Sequence, residues 1–117
     1  MFVDDTEMNR KLGHLLLKNY FSEIDFAEDG QDALKKVAAK QYGIIFMDCM
    51  MPLMNGIDAT KKIRELEHFK EVPIIGVTAV ASTLGNKCLE AGMNDVLEKP
   101  VTLNDFKGVL SKFGFFK

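Results

Sequence analysis

Short apolar runs that stop on polar side chains, separated by stretches of helical periodicity, leave few folds open to this chain. Met1-Phe2-Val3 stops at Asp4-Asp5, Gly43-Ile44-Ile45-Phe46-Met47 at Asp48, and Ile74-Ile75-Gly76-Val77 at Thr78. Val96-Leu97 leads to Lys99-Pro100, and Ile24 to Ala27 is a further short run of β-formers. Between them come apolar residues at helical spacing. Met8, Leu12, Leu15 and Leu16 form one set, and Leu34, Val37 and Ala38 follow the turn signal Asp29-Gly30. A loop from Cys49 to Asn55, carrying Pro52, precedes Ile57, Ile63 and Leu66. Leu84, Cys88, Leu89 and Ala91 come next, and last Leu103, Phe106, Leu110 and Phe113, behind Thr102 and Asp105 at capping-box spacing. Each set predicts a helix, the last with its residues turned inward. Strands apolar on both faces and separated by helices imply a parallel α/β sheet covered on both sides, with right-handed crossovers.

A chain of 117 residues suits one domain, 1–117, and 47% apolar residues suffice for one continuous core. The formal charge of −2 gives no field that would draw the chain to nucleic acid or an anionic membrane. Cys49 and Cys88 lack metal-type spacing and read as unpaired thiols of a reducing, cytoplasmic compartment. No apolar run is long enough to span a bilayer, and the N-terminus reaches two carboxylates too soon for a signal peptide. Met1 to Val3 is short for a strand, so a truncated first strand, and a piece of a longer protein, are expected.

In a parallel α/β sheet all strands end on one rim, where ligands bind. Asp4, Asp5, Asp48, Thr78 and Lys99 therefore converge on that rim. Singly, each has a plainer explanation: Asp caps helices, a threonine ends a strand as a loop hydroxyl, a lysine is solvated. Together they make a chemical set. Three crowded carboxylates repel unless a cation sits among them, and oxygen ligands without His or Cys point to Mg²⁺ or Mn²⁺. Lys99 adds a positive charge and Thr78 a hydroxyl donor, the parts that stabilise a transferring phosphoryl group. Asp48, at the end of a buried strand, is the carboxylate best placed to act as nucleophile and form an aspartyl phosphate.

Over essentially its full length the chain resembles the receiver domain of two-component response regulators. The resemblance rests on Val3-Asp4-Asp5, on the run from Met47-Asp48-Cys49 through Met50-Met51-Pro52-Leu53-Met54-Asn55-Gly56, on Val77-Thr78-Ala79, and on Leu97-Glu98-Lys99-Pro100. It implies a flavodoxin-like (βα)₅ sandwich with strand order 2-1-3-4-5. It implies Asp48 as phosphoacceptor, with Mg²⁺ held by Asp4, Asp5, Asp48 and the backbone carbonyl of Met50. Lys99 would pair with Asp48 and then with the phosphate, and Thr78 would turn inward to a phosphoryl oxygen. Ala79 is small enough to admit the phosphodonor. Pro100 would follow a cis peptide bond that directs Lys99 inward. The implied donor is a phosphohistidine on a histidine kinase or histidine phosphotransfer domain, and the implied output is a shift of the face near the fourth helix and fifth strand. Ala91-Gly92-Met93-Asn94-Asp95 together with the Met51–Gly56 run looks most like receivers of hybrid histidine kinases.

Two positions depart from the family pattern. Val96 stands where receivers carry Tyr or Phe, three residues before the Lys, and a valine cannot swing a ring inward when Thr78 moves. Met50 and Val80 are apolar where polar residues help to align a hydrolytic water, so autodephosphorylation is expected to be slow. Two other readings compete. A haloacid dehalogenase-type phosphatase needs a second acid two residues after its nucleophile, and that residue is Met50. A pseudo-receiver, a pure binding module, would not need the full acidic set. His14 and His68 fall away from the rim and receive no catalytic role.

Overall fold

The computed structural model describes residues 1–51 and 54–115. Pro52 of the predicted loop, its neighbour Leu53 and the last two residues lie outside the described residues. The elements run β1 (Phe2–Val3), α1 (Glu7–Leu17), β2 (Phe26–Ala27), α2 (Gly30–Ala39), β3 (Ile45–Asp48) and α3 (Gly56–Arg64). After a single 3₁₀ turn at Glu67–Phe69 come β4 (Ile74–Thr78), α4 (Ala81–Ala91), β5 (Asp95–Glu98) and α5 (Leu103–Lys112). All strand pairs are parallel, in the order β2-β1-β3-β4-β5. The predicted flavodoxin-like architecture and its strand order are therefore observed.

The period of two along each strand sends alternate side chains to opposite faces. Ile45, Met47 and Ile74 join Ala33, Val37, Ala59, Ile63 and Cys88 on the side of α2, α3 and α4. Phe46 and Ile75 join Phe2, Leu17, Phe106, Val109 and Leu110 on the side of α1 and α5. The rings of Phe46 and Phe106 meet edge to face at 5.1 Å, tying α5 to the middle of the sheet.

Local chemistry starts and stops the helices. Asp29 accepts the Asp32 amide and Asn55 accepts the Asp58 amide at the N-caps of α2 and α3. Thr102 and Asp105 form the expected capping box at the head of α5. Gly92, at φ 116°, ends α4 in the left-handed region that favours glycine.

The apolar sets read from the sequence are not all buried, and of the residues expected to face inward on α5, Leu103 is exposed. On α1, Met8, Leu12 and Leu15 are exposed, at 80%, 48% and 58%, and the inward positions are Gly13 and Leu17, with Leu16 half-buried. The reason is steric: the Phe2 ring lies where a β-carbon on Gly13 would fall, so α1 approaches the sheet through its glycine. Ala38, Leu66, Leu89 and Leu103 are likewise exposed, while Ala33 and Val109 are buried. The second strand is shorter than the Ile24-to-Ala27 run, with Ile24 packed beneath the sheet.

Candidate functional site

The rim residues meet. Asp4 follows β1, Asp48 closes β3, Thr78 closes β4 and Lys99 follows β5, and pairing of β1, β3 and β4 fixes their neighbourhood. One carboxylate oxygen from each of Asp4, Asp5 and Asp48 lies within 4.8 Å of the others. Asp4 and Asp48 are buried, whereas Asp5 faces solvent. The Lys99 Nζ stands 3.3 Å from Asp4 Oδ2 and 3.3 Å from Asp48 Oδ2, bridging the two buried carboxylates. The Lys99–Pro100 bond is cis, as the family resemblance implied.

Asp4 does two jobs. Its Oδ1 accepts the Thr6 amide and hydroxyl, both at 2.9 Å, and thereby shapes the entry to α1, while its Oδ2 faces Lys99. Asp4 is not the helix cap, which is Thr6; one of its oxygens holds the turn into α1 and the other faces Lys99. Asp48 Oδ1 accepts the Met50 amide at 3.2 Å. The Met50 side chain is exposed, and its backbone lies against the acidic cluster through that amide. Thr78 is buried, and its Oγ1 accepts the Val80 amide at 3.2 Å. Ala79 and Val80 form the exposed turn that follows. Val96 is half-buried and packs on the α2–α3–α4 side of the sheet. His14 and His68 are exposed on α1 and on the 3₁₀ turn.

The electrostatics follow from burial. Desolvation pushes Asp48 up from its ordinary 3.8 to about 6; Asp4 adds to the rise, and Lys99 and the Met50 amide oppose it. Burial pulls Lys99 down, but the charges of Asp48 and Asp4 and their hydrogen bonds outweigh it and hold the ammonium above its ordinary value. The site therefore carries an excess of buried negative charge that a divalent cation would relieve. Oxygen-only ligands from three carboxylates, with solvent open on the Asp5 side, suit a hard cation that keeps waters.

A family model, response regulator receiver domain, matches residues 1–111. The chain belongs to this family. As a receiver domain it is 41% identical to hybrid signal transduction histidine kinase E of Dictyostelium discoideum, over 122 residues covering 100% of this chain and 7% of that protein. It is 36% identical to two-component response regulator 24 of Arabidopsis thaliana, covering 99% of this chain and 84% of that protein. Among solved structures, the receiver domain of a Pseudomonas aeruginosa sensor histidine kinase, which has a magnesium ion coordinated in its active-site cleft, superposes with a TM-score of 0.88. That pair is 32% identical and covers 96% of this chain and 93% of the other. A chemotaxis protein of Vibrio cholerae gives 0.88 at 26% identity, covering 96% and 94%. The receiver thus spans a small fraction of the Dictyostelium kinase it matches and most of the Arabidopsis regulator.

Two features of the site escaped sequence reasoning. A cavity of about 280 Å³ opens between α1 and the start of α5, lined by Phe2, Leu12, Leu16 and Phe106, with Asp4 and Lys99 at its edge. Beside it the exposed Met8, Leu12 and Leu15 recur at helical spacing along α1. Their periodicity was visible, but it marks a core face and an exposed apolar face equally well.

Proposed function

We propose that Asp48 accepts a phosphoryl group from a phosphohistidine, in a reaction assisted by Mg²⁺ held by Asp4, Asp5, Asp48 and the Met50 carbonyl. The observation that carries this is the Lys99 ammonium at 3.3 Å from both buried carboxylates, with Asp5 beside them. A carboxylate oxygen of Asp48 attacks phosphorus in line, and the P–N bond to the donor imidazole breaks. Lys99 is poised to follow the negative charge from the carboxylate to the phosphoryl oxygens, so the rate comes mainly from positioning and electrostatics. Bound Mg²⁺ supplies the additional positive charge that these acidic ligands need. The Thr78 hydroxyl accepts an amide proton, which leaves its own proton for a phosphoryl oxygen.

The receiver is not a distinct catalytic enzyme. Its own phosphorylation and slow dephosphorylation are the only reactions assigned to it here, with exposed, apolar Met50 and Val80 unable to orient a hydrolytic water. The donor is a histidine kinase or histidine phosphotransfer domain, and the exposed Met8–Leu12–Leu15 face next to Asp4 offers it an apolar docking surface. Residues 1–117 act as one cytoplasmic receiver unit of a hybrid kinase or response regulator, binding neither nucleic acid nor membrane. Among the described residues no helix is long and apolar enough to cross a bilayer. Phosphotransfer from a labelled phosphohistidine donor to wild type and to Asp48→Asn tests the assignment. Label on wild type alone is expected, and equal labelling of both would overturn it.

A further inference from the structure

The two cysteines, 39 residues apart in sequence, meet in the core with their Sγ atoms 3.0 Å apart. That is about one ångström longer than a disulfide bond. Cys49 directly follows Asp48; its amide donates to the Val77 carbonyl and its own carbonyl accepts the Gly56 amide. Cys88 lies on the buried face of α4. Gly76 on β4 lies beside Cys49: a β-carbon there would stand 2.5 Å from the Met93 sulfur and 3.2 Å from the Cys49 sulfur.

We propose that Cys49 and Cys88 are an oxidisable dithiol, which a small neutral peroxide converts into an intramolecular disulfide joining the phosphoacceptor loop to α4. In the first step one sulfur attacks the peroxide O–O bond, becomes a sulfenic acid and releases one water. The second sulfur then attacks the sulfenic sulfur, the S–O bond breaks, and the hydroxide leaves with the remaining thiol proton as a second water. Two electrons pass from the two sulfurs to the peroxide oxygens. Burial of both residues bars a bulky oxidant such as oxidised glutathione, so the oxidant the proposal names is a small neutral peroxide. The bond would hold α4 against the strand end that carries Asp48 and oppose any repacking of that helix. This consequence for signalling rests on the phosphoacceptor reading; the bond itself does not.

The test treats the folded chain with hydrogen peroxide, alkylates it under denaturing conditions and measures intact and tryptic masses. Expected are a monomer lighter by two hydrogens, no alkylation at either cysteine, one linked peptide containing both, and a Tm rise reversed by dithiothreitol. Cys88→Ala should abolish the linked peptide. Asp48→Asn should retain it, which separates this inference from the phosphoacceptor assignment. Alkylation of both cysteines after peroxide treatment, separate oxidation of each to sulfinic acid, or disulfide-linked dimers would each overturn it.

Discussion

The acidic cluster makes a prediction about stability that needs no phosphodonor. Burial raises Asp48 to about 6 in the folded chain, whereas the unfolded chain releases that proton near 3.8. Between these values the folded state binds more protons than the unfolded state, so Asp48 makes stability fall as pH rises. Its stabilising effect is complete below the unfolded value and lost once pH passes the folded one. A shift of roughly two units at about 1.4 kcal/mol each sets an upper bound of about 3 kcal/mol. The attraction of Lys99 is already included in that net shift. Asp48→Asn removes the buried charge, so in chelator the variant should come within about 0.6 kcal/mol of wild type near pH 4 and exceed it at pH 7 by up to about 3 kcal/mol. Urea unfolding of both proteins at several pH values measures the difference, in which the other titrating groups cancel. Mg²⁺ should oppose the effect: at ten times its dissociation constant it stabilises wild type by about 1.4 kcal/mol, and the variant by less. A variant gain that is the same at pH 4 and pH 7 would refute the claim that the Asp48 carboxylate is held charged against its burial.

Three other changes probe the surroundings. Lys99→Ala leaves Asp4 and Asp48 facing each other without the shared ammonium; phosphotransfer to Asp48 should slow by about 10²- to 10³-fold, while Mg²⁺ binding measured by fluorescence or calorimetry should persist. Thr60 Oγ1 is, among the described residues, a buried side-chain oxygen with no hydrogen-bond partner. Thr60→Val keeps its shape and should raise the urea midpoint, with a gain of about 1 kcal/mol. Gly56→Ala would drive its β-carbon into the Asp48 carbonyl oxygen at the head of α3, and should destabilise the fold by about 2–4 kcal/mol in urea titration and weaken Mg²⁺ binding through the displaced loop.

How much was legible in the sequence depended on what kind of contact had to be read. The Asp48 strand was clear because Ile44, Ile45, Phe46 and Met47 are all buried, and such a run can end only at a rim. Asp4, Thr78 and Lys99 followed by the same rule. Contacts between side chains far apart in sequence were not legible. The Cys49–Cys88 approach is one case, and Arg64 is another. At the end of α3 its guanidinium donates to the carbonyls of Phe69, Val72 and Gly92 and to Asn94 Oδ1, pinning the 3₁₀ turn and the α4–β5 connection together. Its main partners are backbone carbonyls, which every residue carries, so no residue type announces them.

The α1 face shows the same limit and what it implies for partner choice. Met8, Leu12 and Leu15 satisfy helical periodicity, yet the sheet meets α1 through Gly13 and Leu17. A helix that spends its smallest residue on close approach leaves its larger apolar residues outside. Scattered apolar side chains on a surface need no explanation, but a stripe along one helix beside a buried acidic pocket concentrates contact area where the proposed donor would have to approach. Val96 bears on the other end of the pathway. With no ring there to change position, the proposed inward movement of Thr78 would be transmitted by backbone, and β4 and β5 pair in parallel register at Thr78–Glu98 and Gly76–Val96. A signal carried that way would shift β5 and the adjoining α4 as a unit, which places the burden of output on the packing of α4 against Met93 and Cys49 rather than on any single rotamer.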